Sequence, residues 1–155
     1  MSESVFDRLT AKLDAEGVAY SVLRHAAVFT SQEAADVRGT SLASGAKALV
    51  CKADDAFVMF VLPADRKLAS KAARRTLDAK SLRFADRDEV ERLTGLAPGS
   101  IPPFGSLFDL PTWCDSRLGD EESINFNAGD HAISIGISYA DFVRVERPTL
   151  GAFGE

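Results

Sequence analysis

The apolar positions change period several times along the chain, and each change marks an element. Val5, Phe6, Leu9 and Leu13 recur at helical spacing, with Ser2 or Ser4 available as cap and Gly17 as stop. "AYSVL" at 19–23 alternates as a strand does. "TSQEAADV" at 30–37 opens a second helix, and Thr30 followed by Glu33 has the capping-box pattern. "AKALVCKA" (46–53) and "AFVMFVLP" (56–63) flank Asp54-Asp55 and predict a hairpin. The second run is apolar on both faces, which suits the middle of a sheet. A basic helix is predicted over 67–75, then a short strand near Leu82–Phe84. Asp86 can cap a helix through Leu93 that Gly95 ends. Short strands are expected at 106–113 and 123–127. "HAISIGI" at 131–137 predicts a strand after the turn "NAGD", and Ser138 can cap a last helix, "YADFVRV". Residues 147–155 suggest a loose tail. No repeat, low-complexity tract or linker interrupts this order. The expected fold is one α/β domain over 1–155, its core at about 5–145, with a mixed, mostly antiparallel central sheet flanked by helices.

Composition narrows the class. A chain of 155 residues can bury a real core, and 46% hydrophobic with 26% charged residues describes a globular protein. The longest apolar run, "AFVMFVL" (56–62), is too short to span a membrane, and the charged N-terminal helix has no signal-peptide core. Cys51 and Cys114 make neither a disulfide framework nor a metal cluster, so both are expected as small core residues in a cytoplasmic setting. No metal, cofactor or membrane is expected. The net charge of −5 argues against a nucleic-acid partner until its distribution is considered. Residues 66–83 hold seven basic residues against one acid, a local +6, which leaves −11 on the rest of the chain. On a helix over 67–75, Lys67, Lys71, Arg74 and Arg75 would share one face. That face is either a solvated surface or a phosphate-binding patch with salt-sensitive affinity.

The chemistry is sparse. The chain lacks a glycine-rich phosphate loop before a helix, Cys/His metal spacing and a nucleophile elbow. Its two histidines, His25 and His131, sit in no motif that suggests a catalytic triad. Lys47 is more unusual. Strand alternation puts Lys47, Leu49 and Cys51 on one face, so a lysine opens an apolar stripe. It either reaches water at the strand's end or points into a pocket, where burial would ease loss of its proton. On the strand over 131–137, Ala132, Ser134, Gly136 and Ser138 form a face almost bare of bulk. Another element or a ligand can approach it closely. "PGSIPPFG" (98–105) is a stiff loop carrying Ile101 and Phe104. Gly99 and Gly105 permit unusual backbone angles, while Pro102 and Pro103 fix φ between them. Such a loop is either a structural corner or a preorganised wall of backbone dipoles.

In sequence order these pieces are His25, "TSQEAA" (30–35), "GAKALV" (45–50), "TGLAPGSIPPFG" (94–105), Asp115 and "GDHAIS" (129–134). That order resembles the YbaK/ProX-type aminoacyl-tRNA deacylases, related to the editing domain inserted in bacterial prolyl-tRNA synthetases. The likeness covers roughly 5–145. It implies a trans-editing hydrolase that cleaves the ester joining a wrong amino acid to the 3′ adenosine of a transfer RNA; whether a synthetase is a further partner stays open. By the same likeness, Lys47 is the expected catalytic residue, at the adenosine phosphate or the scissile ester. The loop Gly99, Ser100, Ile101, Pro102 and Pro103 is expected to hold the aminoacyl group and ribose. Thr30, Gly129, His131 and Ser134 are expected to line the same pocket. Phe104 beside it would narrow the choice toward alanine or serine, with cysteine and threonine still open. Water is expected to attack, assisted by a substrate hydroxyl, with no metal and no covalent nucleophile. Two other readings share the fold: a non-catalytic RNA-binding or regulatory module, and a small-molecule binder using Ile101 and Phe104.

Overall fold

A computed structural model describes residues 4–155; the alternative cap Ser2 lies outside them. Helix α1 spans Val5–Ala15, and its cap is Ser4, whose hydroxyl accepts from the Asp7 N–H. Strand β1 is Ser21–Arg24 and helix α2 is Ser31–Arg38. A 3-10 turn over Leu42–Ser44 leads into the hairpin β2 (Ala46–Ala53) and β3 (Ala56–Pro63). Helix α3 (Ser70–Thr76), strand β4 (Leu82–Phe84) and helix α4 (Arg87–Thr94) follow. Strands β5 (Thr112–Asp115), β6 (Ser123–Asn127) and β7 (Ile133–Ser138) precede helix α5 (Tyr139–Glu146) and strand β8 (Thr149–Gly151). Among the described residues, no helix is long and apolar enough to cross a membrane.

The mixed, mostly antiparallel sheet is divided in two. Three strands run in the order β1-β7-β6, all antiparallel. Five run in the order β4-β2-β3-β5-β8, with β5 parallel to both β3 and β8. An isolated parallel bridge between Gly45 and Asn125 joins them. The central place of β3 follows from its two apolar faces. Met59 and Val61 enter the main core with Leu9, Leu13, Phe126, Ile135 and Phe142. Val58, Phe60 and Leu62 enter a second core with Cys51, Ala73 and Phe153. Both cysteines are free and buried, and burial pushes each thiol up to about 12.

Four local expectations change. Residues 106–113 are not one strand. Gly105–Phe108 forms a 3-10 turn, Asp109 turns left-handed at φ 56°, and pairing begins only at Thr112. Pro111 has no N–H for a ladder, and Gly105 is pressed so close to Thr112 that a Cβ there would lie 2.4 Å from the threonine hydroxyl. The strand after "NAGD" starts at Ile133, because the Asp130 carboxylate accepts the Ala132 N–H at 2.7 Å and holds His131 and Ala132 in the turn. The basic helix starts at Ser70, so Lys67 is not on it. Lys67 instead exchanges two backbone hydrogen bonds with Glu155, and the Ala69 N–H donates to Phe153. The same pairing overturns the loose tail at 147–155: β8 lies beside β5, and Phe153 is fully buried. Asp115, also fully buried, accepts the backbone N–H groups of Arg117, Phe153 and Gly154 and so clamps the segment in place.

Candidate functional site

A cleft of ≈ 230 Å³ opens between α2, the start of β2 and the loop after α4. Sequence sets each wall. Thr30 caps α2, its hydroxyl accepting the Glu33 N–H at 3.1 Å. The reciprocal bond runs from the Phe29 N–H to Glu33 rather than from Thr30, which ties Phe29 to the helix start. Ala34 and Ala35, the apolar side of this short helix, form part of the floor. Gly39 in the left-handed conformation ends α2 and leaves Arg38 as its last residue.

Lys47 stands on this cleft, half-buried at the entrance of β2. Burial lowers its pKa; the charge of Asp65 raises it and that of Lys67 lowers it. Lys47 thus borders the cleft while part of its side chain stays exposed at the start of the strand. Gly99 and Ile101 line the same cleft. Gly99 takes φ 90°, which only glycine adopts readily, and the Asn127 amide donates to its carbonyl at 2.7 Å.

The rest of the proline loop lies behind this surface. Ser100 is buried, its hydroxyl donating to Ala97 and its carbonyl accepting from Gly129. Pro102 and Pro103 are buried, and the Pro102 carbonyl accepts the Phe104 N–H at 2.8 Å. Phe104 is fully buried, edge-on to Phe126 and Phe142 with ring centroids 5.7 and 5.5 Å away. Phe104 therefore neither lines the cleft nor narrows it. The apolar energy of packing such a ring, about 2–3 kcal/mol, anchors the loop to the core. This removes the small-molecule reading built on an Ile101/Phe104 pocket. Gly129 is likewise behind the loop, packed on α1, where a Cβ would sit 3.1 Å from that of Val5.

His131 reaches the rim from the turn. Its ring lies 4.7 Å from that of Phe29, and its Nδ1 is 3.1 Å from the Val28 carbonyl. Ser134 faces a second cavity of ≈ 490 Å³ along β6 and β7, on the small-residue face identified from alternation. Of the basic run, Lys71 and Arg75 remain exposed on α3. Arg74 is half-buried, with a long contact of 3.5 Å to the Ala79 carbonyl. None of the four lines the cleft. Among the described residues, no cluster of three or more His, Cys, Asp or Glu side chains is placed to hold a metal.

Sequence reasoning missed Arg38, Phe29, Asn125 and Asn127. Arg38 lines both cavities. Its nitrogens donate to Ser134, Asn125 and Asn127, each at 2.8 Å, and burial pushes its pKa down to about 10. In the sequence it looks like an ordinary basic residue in a last helical turn. Phe29 is 73% exposed, an aromatic directly before a capping threonine. Asn125 and Asn127 carried a signal in "SINFN", two amides on one face of a strand.

The comparisons with known proteins agree with this architecture. A family model for the aminoacyl-tRNA editing domain matches residues 25–145. The multifunctional Ser/Thr-tRNA deacylase ProXp-y of Escherichia coli K12 is 34% identical over 94% of this chain and 90% of its own. The proline–tRNA ligase of Shouchella clausii is 36% identical over 69% of this chain, which corresponds to 19% of the ligase. A crystal structure described as a candidate trans-editing enzyme for prolyl tRNA synthetase superposes with a TM-score of 0.86 at 22% identity, covering 100% of this chain and 99% of that one. The chain belongs to the aminoacyl-tRNA editing family.

Proposed function

We propose that the protein is a trans-editing deacylase that hydrolyses the ester between a small amino acid and the 3′ adenosine of a mischarged transfer RNA in the cytoplasm. The observation that carries this reading is the cleft itself. A half-buried cation, Lys47, and the left-handed Gly99 with Ile101 line one small cavity with an alanine floor. The volume suits a short side chain such as that of serine, alanine, cysteine or threonine.

In this reading a water oxygen attacks the ester carbonyl. The bond to the ribose oxygen breaks, and that oxygen takes up a proton. The products are the free amino acid and a transfer RNA with its hydroxyl restored. An aminoacyl ester is already activated, so fixing the reactants and offsetting one developing negative charge supplies the needed acceleration. The Lys47 ammonium offsets charge on the oxyanion or the neighbouring phosphate. The Phe29 ring, backed by His131, is a stacking platform for a terminal base of the single-stranded acceptor end. A second hydrolytic sieve is useful because an apolar pocket separates near-isosteres only weakly, by about 1–3 kcal/mol.

Incubation of purified protein with transfer RNAs carrying serine, threonine, alanine or cysteine tests the reading. Time-dependent release from at least one is expected. Binding to all four without release would favour the non-catalytic RNA-binding module instead.

A further inference from the structure

The Arg38 guanidinium touches three neutral acceptors and forms no ion pair among the described residues. Its partners are ordered by it. Asn125 and Asn127 both turn their amide oxygens toward the guanidinium, so both NH₂ groups point away. A flipped amide would set donor against donor. The Asn125 NH₂ then donates to the Ser44 hydroxyl at 3.0 Å, on the turn that leads into β2 and Lys47. The Asn127 NH₂ donates to the Gly99 carbonyl at 2.7 Å, on the facing wall. The third arm ends on Ser134, whose hydroxyl lies 2.8 Å from His25 Nε2. The Ala26 carbonyl, 2.8 Å from His25 Nδ1, can only accept, so in the neutral ring Nε2 takes the Ser134 hydrogen.

We infer that Arg38 is the positioning residue of the cleft: through two asparagine relays one guanidinium sets the distance between the Lys47 wall and the Gly99 wall. The inference rests on the deacylase reading for its kinetic consequence but not for its structural one. A planar fork is required, because three acceptors on two strands must be met at fixed angles. A lysine ammonium supplies the same charge as a single point.

The test uses Arg38→Lys, Asn127→Ala and the double variant. With seryl- and threonyl-tRNA as substrates, Arg38→Lys is expected to lower kcat/KM about ten- to a hundredfold, mainly through kcat, as a misplaced wall would. The serine-to-threonine preference should shift with it, because cleft width governs shape. The double variant should be no worse than the poorer single one, since Arg38→Lys already breaks the relay that Asn127→Ala removes. Singles whose effects multiply, or an equal loss on both substrates at an unchanged kcat, would overturn the inference while leaving the deacylase reading intact. Amide hydrogen exchange separates the two in the other direction. Arg38→Lys should speed exchange in both 42–45 and 97–101, whether or not any substrate is cleaved. Unchanged exchange in both segments rejects the positioning role. Should Arg38→Lys fail to fold, Asn125→Ala should loosen only 42–45 and Asn127→Ala only 97–101, and any other pattern counts against the relays.

Discussion

Two charged side chains organise this molecule, Asp115 at the end of β5 in the larger sheet and Arg38 at the end of α2 against β6 and β7 of the smaller, and their surroundings differ. Asp115 is fully buried, and backbone N–H groups from Arg117 and the C-terminal segment satisfy it. It lines neither the cleft nor the second cavity. Arg38 is only partly buried, meets neutral side chains alone, and stands between two cavities. A buried charge matched by backbone donors closes a structure. A charge met by side-chain amides that themselves reach cleft walls leaves a site adjustable. The first should control stability with little influence on substrate choice, and the second should do the reverse.

Substitutions on either side of that contrast should differ in kind. Asp115→Ala leaves three N–H groups without an acceptor. We expect a loss of about 3–5 kcal/mol, the scale for removing one partner of a buried charged network, and a fall in Tm on the order of 10 °C. Thermal unfolding followed by circular dichroism checks this, and a Tm within 2 °C or so of the parent would show that the clamp is idle. Phe29→Ala, at a ring 73% exposed, should leave Tm unchanged. It should weaken transfer RNA binding by about 1–3 kcal/mol, the usual range for one base stacked on an aromatic ring. Fluorescence anisotropy with an acceptor-stem oligonucleotide measures that loss. Lys71→Glu with Arg75→Glu, a smaller change at residues that do not line the cleft, should weaken binding modestly and flatten its salt dependence by about two phosphate contacts. An unaltered salt slope would remove α3 from the binding surface. The smallest effect is electrostatic. Asp65 raises the Lys47 pKa, so Asp65→Asn should move the alkaline fall of deacylation to lower pH, because the ammonium is lost sooner. A shift to higher pH would contradict that arrangement of charges.

The contrast also explains what the sequence could reveal. The hairpin β2–β3 was legible because eight-residue apolar runs flanked two aspartates. The caps of α1, α2, α4 and α5 were legible because each places one hydroxyl or carboxylate at a fixed spacing. Lys47 stood out as a charge opening an apolar stripe. Phe104 misled, because a large ring in a proline loop serves equally as pocket wall or anchor, and only tertiary packing against Phe126 and Phe142 decides. The C-terminal segment was illegible for the same reason: its order comes from Asp115 and Lys67, more than thirty residues away. Arg38 was invisible because its partners lie on strands about ninety residues downstream, and nothing local separates it from a solvated helix end.

The proposed hydrolysis depends on Lys47, a half-buried lysine that lines the same cleft as Gly99. Single-turnover deacylation of seryl-tRNA by the parent protein and by Lys47→Ala tests it most directly. A loss of about 10²–10³-fold in the rate is expected, the scale of removing one preorganised electrostatic contact, at unchanged Tm. A Lys47→Ala variant that folds and releases serine at the parent rate would contradict it.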